Sequence, residues 1–181
     1  MVDSQIVVMR KNILITGYPG VGKTTLINKI TRQLSCKIGG FYTHEMKENG
    51  RRTGFYITDF EGNQMIMASK KSDSLYRVNK YGVNIEAFEK IGIPAMERAL
   101  QNADVIVIDE IGKMEMFSPK FCDILRKVFD SETPLLATIK KVDCELTKEL
   151  KERNNVIKFE VTKENRDPLF KEILTVIQNL L

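Results

Sequence analysis

Residues 17–24 read Gly17-Tyr18-Pro19-Gly20-Val21-Gly22-Lys23-Thr24, a complete match to G-x-x-x-x-G-K-[ST]. Glycines at these places let successive backbone amides turn inward around phosphate oxygens, and a helix starting near Lys23 adds its positive end. In such a cradle Lys23 is expected to reach the β- and γ-phosphates of a nucleotide. The Thr24 hydroxyl is expected to ligate Mg²⁺ and Thr25 to serve the α-phosphate. By composition the pattern arises by accident in fewer than about one chain in a hundred of this length. Here it also has the flanking apolar run and helical stretch that the cradle needs.

A second constellation is Val105-Ile106-Val107-Ile108-Asp109-Glu110, an apolar run ending in two carboxylates. Parallel strands bring their carboxyl ends to one edge of a sheet, so this pair should face the cradle. Asp109 then suits Mg²⁺, directly or through water, and Glu110 suits a general base that polarises the attacking water. Thr138, closing the next apolar run, is a candidate to sense the γ-phosphate or position that water. A cation is wanted on the developing charge; Lys113, Arg52 and Arg153 are the candidates, or an arginine from another subunit.

Asp109-Glu110-Ile111-Gly112 also fits the D-x-x-G of switch GTPases. Those proteins read guanine through N-K-x-D, and Asn79-Lys80-Tyr81-Gly82 lacks the Asp. Thr162-Lys163-Glu164-Asn165 follows the last strand, but an amide at its fourth place lacks the anionic double acceptor that selects guanine. Asn165 and Arg166 are accordingly expected beside the base without being strict about it.

The elements that must position these groups alternate between strand and helix. Asn12 to Thr16 reads as a buried strand, and a helix from Lys23 to Leu34 repeats apolar residues at Leu26, Ile27, Ile30 and Leu34. Ile38 to Lys47 and Arg52 to Phe60 read as strands joined by Asn49-Gly50, a hairpin signal because both positions tolerate positive φ. Gln64 to Met67 completes an antiparallel meander. A helix runs from Ile85 to Asn102 with an interruption near Gly92 and Pro94, followed by the strand Asp104 to Ile108. Ser118-Pro119 opens a helix with Phe121, Ile124, Leu125, Val128 and Phe129 on one face. Strands at Leu135 to Ile139 and Val156 to Val161 enclose a short helix over Glu145 to Arg153. Asp167-Pro168 is expected to cap a last helix with the stripe Leu169, Ile173, Leu174, Ile177 and Leu181. This order predicts an α/β P-loop domain with a mainly parallel sheet and a meander after the first helix, one domain over residues 1–181.

Composition narrows the chemistry. With 181 residues and 43% hydrophobic content the chain can bury a core unaided. Cys36, Cys122 and Cys144 are scattered and odd in number, so they make no disulfide framework, and no Cys-x-x-Cys pair is present. His44 is the single histidine, which disfavours a His-based metal site or a Ser-His-Asp triad. No apolar stretch is long enough to span a membrane. The start, MVDSQIVVMRK, has its acid first and its basic pair after the apolar run, the reverse of a signal peptide. A cytoplasmic, membrane-free protein is expected. A net charge of +4, spread in pairs such as Arg51-Arg52 and Lys140-Lys141, suits a phosphorylated ligand better than nucleic acid.

Four blocks, GYPGVGKTTL (17–26), GGFYTHEMKENGRRTGF (39–55), VIDEIGKMEMFS (107–118) and VTKENRDPL (161–169), resemble the small P-loop nucleoside-triphosphatases of thermophilic microbes and their animal relatives, the cancer-related nucleoside-triphosphatases. The second and fourth blocks carry the specificity, and the resemblance runs from Met9 almost to the C-terminus. It implies a RecA-like three-layer sandwich and slow Mg²⁺-dependent hydrolysis of the terminal phosphate of ATP, GTP, CTP and UTP. It also implies nucleotide contacts from Gly17 to Thr24 and along Val107, Ile108, Asp109, Glu110, Ile111, Gly112 and Lys113. Family chains begin just before the first strand, which makes residues 1–8 an expected extension and Met9 an alternative start. Two other readings share the cradle: a nucleoside or nucleotide kinase using Arg51, Arg52 or the Lys70–Arg77 stretch as a lid, and a switch or motor stimulated by nucleic acid or a partner.

Overall fold

The computed structural model describes residues 10–181; the expected extension at 1–8 and the start at Met9 lie outside the described residues. Asn12–Thr16 forms β1, and its apolar run is unbroken because this strand is covered on both faces. It pairs in parallel with β8 (Leu135–Ile139) on one side and β9 (Val156–Glu160) on the other. Beyond β8 lie β7 (Val105–Ile111) and β2 (Ile38–Glu48), also parallel. The antiparallel meander continues the sheet through β3 (Arg51–Asp59) and β4 (Gln64–Ser69). With the short strands β5 (Arg77–Val78) and β6 (Tyr81–Val83) at its far edge, the full order is β5-β6-β4-β3-β2-β7-β8-β1-β9, so β8 intervenes between the strand feeding the glycine loop and the strand carrying the acids.

Helices cover both faces and make three layers. On one face α1 (Lys23–Thr31) and α6 (Arg166–Leu180) bury Leu26, Ile27, Ile30, Ile173 and Ile177 against β1 and β7. On the other, α3 (Ile93–Asn102), α4 (Pro119–Asp130) and α5 (Glu145–Lys151) pack Met96, Phe121, Leu125, Phe129 and Leu150 over the same strands. Each strand of the parallel core is therefore pinned from above and below, which makes the carboxyl edge a rigid platform.

The local signals act as expected at several places. Ser118 caps α4, its hydroxyl accepting the Phe121 amide at 3.2 Å, with Pro119 in the first turn. Asn49 and Gly50 adopt φ of 49° and 74°, the two-residue hairpin turn that joins β2 to β3.

Other expectations are refined or corrected. The helix over 85–102 is interrupted near Gly92, as expected, by a change of helical pitch and not by a break in the chain's helical path. It passes from α2 (Ile85–Ala87) through a π-helical turn (Phe88–Gly92) into α3, the wider turn accommodating a proline that has no N–H to give. Asn79-Lys80-Tyr81-Gly82, set aside as a guanine reader for lack of the Asp, makes the Asn79-Lys80 hairpin turn, with Asn79 at φ 54°, and the start of β6, facing β5. These strands are too short for periodicity to reveal. Asp167 does not cap α6, which starts at Arg166 with Asn165 before it, and Leu181 is half exposed rather than part of the buried stripe.

Candidate functional site

The glycine loop follows β1 directly and its backbone needs residues without a Cβ. Gly22 sits at φ 99° and starts α1, and a Cβ there would meet Arg166 Nη1 at 2.9 Å. Arg166 thus lies across the loop where the helix begins, and its Nε is buried with no hydrogen-bond partner among the described residues. Asn165 has a different duty: its side-chain oxygen accepts the Thr162 amide at 2.8 Å and its Nδ2 donates to the Glu160 carbonyl at 2.9 Å. Both ends of that amide close the turn, so of the two residues expected beside a base, Arg166 is the one that reaches the loop.

Lys23 is buried, its ammonium donating to the Gly17 carbonyl at 3.0 Å and the Tyr18 carbonyl at 3.4 Å. The same ammonium stands 3.9 Å from Glu110. Two residues 87 positions apart are brought together because β1 and β7 end at the same edge, one strand apart. Thr24 and Thr25 occupy the first exposed turn of α1.

Asp109 is fully buried, and its Oδ1 accepts a hydrogen bond from Thr138 across the β7–β8 ladder. Its Oδ2 has no partner among the described residues. A buried carboxylate oxygen left unpaired is costly, and such an orphan beside the Thr24 hydroxyl is a donor set that fits a hard divalent cation. Burial pushes the Asp109 carboxyl up, opposed by the Thr138 and Thr24 hydroxyls and the Lys23 charge. Thr138, a candidate to sense the γ-phosphate or position water, is wholly buried and is the satisfied hydroxyl that holds Asp109.

Glu110 remains partly open, its side chain 30% exposed. Burial raises its proton affinity, Lys23 and Lys140 lower it, and Asp109 raises it again. The ladder to β8 slips between Ile108 and Ile111, which frees the two acids from regular pairing with that strand. Val107, Ile108 and Ile111, expected along the nucleotide, point into the core at 0–2% exposure, so their side chains cannot meet a ligand. Among the expected cations, Arg153 pairs with Asp130 and Glu149, and Lys113 is exposed outside the cleft that the site faces.

That cleft, about 360 Å³, opens between the loop and the meander and is bordered by Lys23, Glu110, Gly112, Arg52 and Lys140. It reveals two residues the sequence reading passed over. Lys140 extends β8 by one position, so the strand-end rule that found Asp109 applied to it too. Glu115 sits in a buried 3-10 turn (Glu115–Phe117) and accepts the Gly112 amide at 2.9 Å, fixing the loop after the acids. Desolvation raises its pKa to about 7, aided by Glu110 and opposed by Lys140 and its backbone hydrogen bonds.

That shift predicts a pH-dependent stability. Glu115 in the unfolded chain loses its proton near 4.5 but holds it to about 7 when folded. The native state therefore binds more protons between these values, and stability should fall as pH rises from 4.5 to 7 and then level off. Glu115→Gln stays neutral while keeping an oxygen for Gly112. It should flatten the profile and, near pH 8, raise stability by up to about 3 kcal/mol. Melting temperatures of both proteins across pH 5–8 measure this; parallel curves would assign the pH dependence to another group.

Comparison with known proteins gives a consistent family. The family model described as NTPase matches residues 12–174. Nucleoside-triphosphatase THEP1 of Thermotoga sp. (strain RQ2) is 51% identical, over 92% of this chain and 95% of its own. The crystal structure of THEP1 from Aquifex aeolicus superposes with a TM-score of 0.84 at 43% identity, covering 92% of this chain and 98% of that one. The solution structure of a human cancer-related nucleoside triphosphatase gives 0.79 at 35% identity, covering 93% and 98%.

Proposed function

This chain belongs to the nucleoside-triphosphatase (NTPase) family and hydrolyses nucleoside triphosphates, and we propose that it does so with Mg²⁺, broad base tolerance and Glu110 as the water-activating base. The observation that carries the reading is the meeting of Lys23 and Glu110, 3.9 Å apart, beside a buried Asp109 with an unpaired oxygen. The loop amides from Gly17 to Thr24 hold the phosphates, Lys23 takes the terminal ones, and Thr25 lies toward the α-phosphate. Thr24 and Asp109 would hold Mg²⁺, which when bound neutralises charge on the β- and γ-phosphate oxygens. Thr138 keeps Asp109 oriented for that task.

Glu110 accepts a proton from water as its oxygen attacks the terminal phosphorus, and the bond to the bridging oxygen breaks to release the nucleoside diphosphate. Burial favours this role, because it lifts the carboxyl from its ordinary range toward neutrality, where a base is most effective. Arg166 over Gly22 supports placing the base end there. A guanidinium without a guanine-selecting carboxylate favours no one base, hence the broad tolerance. We read residues 1–181 as one domain acting in the cytoplasm; among the described residues no helix is long and apolar enough to cross a membrane.

Phosphate release from ATP, GTP, CTP and UTP, with Mg²⁺ and again with a chelator, tests the reading. Comparable release from all four, lost with the chelator, is the expected result. Release confined to one base, or insensitive to the chelator, would refute the base tolerance or the metal respectively.

A further inference from the structure

The terminal-phosphate end of the loop opens onto more room than a water molecule uses. The cleft measures about 360 Å³, whereas a water's share of liquid volume is about 30 Å³; small-molecule sites start at about 300 Å³. The terminal phosphates take only one end of this space, where Gly17, Tyr18, Pro19 and Lys23 of the loop border it. Arg166 lies over Gly22 at the start of α1, and neither Arg166 nor Thr24 nor Thr25 borders the cleft. A triphosphate running from there to Lys23 ends at the cleft's inner wall.

The outer wall comes from the meander and the β5–β6 hairpin beyond it. Phe55, Met67, Val78 and Tyr81 face Met114 across it, with Arg52 among them. Phe55 and Tyr81 meet edge to face at 5.2 Å, and the Arg52 guanidinium lies 5.2 Å from the Phe55 ring and 5.8 Å from the Tyr81 ring. The Arg52 Nε donates to the Tyr81 hydroxyl at 3.0 Å. Flat apolar walls with a fixed cation suit a planar molecule bearing polar groups at its edge. Lys23 and Glu110 form the inner end.

We propose that this cleft binds a second small molecule, a planar alcohol whose hydroxyl takes the terminal phosphoryl group in place of water. The hydroxyl oxygen forms a new bond to phosphorus as the bond to the bridging oxygen breaks. The electron pair leaves on the nucleoside diphosphate, and the hydroxyl proton passes to Glu110. The products are the diphosphate and a phosphomonoester. This inference rests on the reading of Lys23 and Glu110 as the terminal-phosphate groups.

The test incubates the full chain with Mg²⁺ and ATP, alone and with adenosine, guanosine, cytidine, uridine, thymidine or pyridoxine as probe. ADP, free phosphate and phosphorylated probe are quantified by mass spectrometry and phosphate assay. Without a probe, ADP equals phosphate, and that arm alone reports on the underlying reading. With at least one probe a phosphomonoester is expected, and phosphate falls below ADP. Val78→Trp, filling the cleft from β5, should cut transfer at least about tenfold while probe-free hydrolysis stays within about twofold. Val142→Trp, at the 68% exposed rim, supplies the same readout from a position that tolerates the bulk. A phosphate-to-ADP ratio of one with every probe overturns the proposal, as does transfer that neither tryptophan reduces.

Discussion

Lys23→Ala is expected to lower nucleoside-triphosphate turnover by at least about 10³-fold, equivalent to about 4 kcal/mol of transition-state stabilisation. The size follows from the setting. The ammonium is buried among the Gly17 and Tyr18 carbonyls and the Glu110 carboxylate, where a charge acts through less screening than at the surface. Its removal has a second consequence, because Lys23 is the leading influence holding the Glu110 proton affinity down. Glu110 then protonates more readily and is less available as a base at neutral pH. Lys23→Met, which keeps the apolar stem in place, separates this loss from packing: turnover should fall as far while the melting temperature holds. Phosphate release and nucleotide titration calorimetry measure both; near-normal turnover in either variant would overturn the assignment of the loop.

Glu110→Gln is expected to retain nucleotide binding and lose turnover by about 10²–10⁴-fold, the range for a lost general base. Glutamine preserves the shape beside Lys23 but cannot take a proton from water. The two acids at the end of β7 have opposite circumstances, Asp109 sealed and bonded to Thr138, Glu110 facing the cleft. Of the two, only Glu110 borders the cleft in which the proposed attack takes place. The wild-type rate should therefore fall on the acid side above the usual carboxylate range, since burial raises the Glu110 pKa, and the glutamine variant should lack that limb. Pre-steady-state phosphate release from pH 5 to 8 measures this. An undiminished rate in Glu110→Gln would transfer water activation to another group, with Glu115 the other carboxyl bordering the cleft.

Much of this arrangement was legible along the chain because its signals are local. Positive φ at Gly20 and Gly22, the hairpin at Asn49-Gly50, and the Ser118 cap each depend on a few adjacent residues. The unbroken apolar runs of β1, β7 and β8 announced a parallel core, since a strand buried on both faces has no reason to alternate. The acids of β7 could be placed at the loop because parallel strands share a carboxyl edge. Where the reading failed, the residue's partner lay far along the chain. Thr138 at a strand end could be read as facing phosphate or as a buried hydroxyl, and the choice was made by Asp109, 29 positions away on the neighbouring strand.

The sequence by itself determined the glycine loop, the order of the longer strands and helices along the chain, and the pair of carboxylates near the end of β7. Contiguous residues set these through backbone conformation and hydrophobic period, which do not depend on what packs alongside. The tertiary structure alone decided which groups meet. It set β8 between β1 and β7, so that Thr138 holds Asp109 while Lys23 reaches Glu110 past it. It laid Arg166 over Gly22, buried Glu115 under Gly112, and folded the meander around the cleft. Such juxtapositions follow from strand order and helix packing, and those are settled by how the whole chain buries its apolar surface, not by any stretch within it.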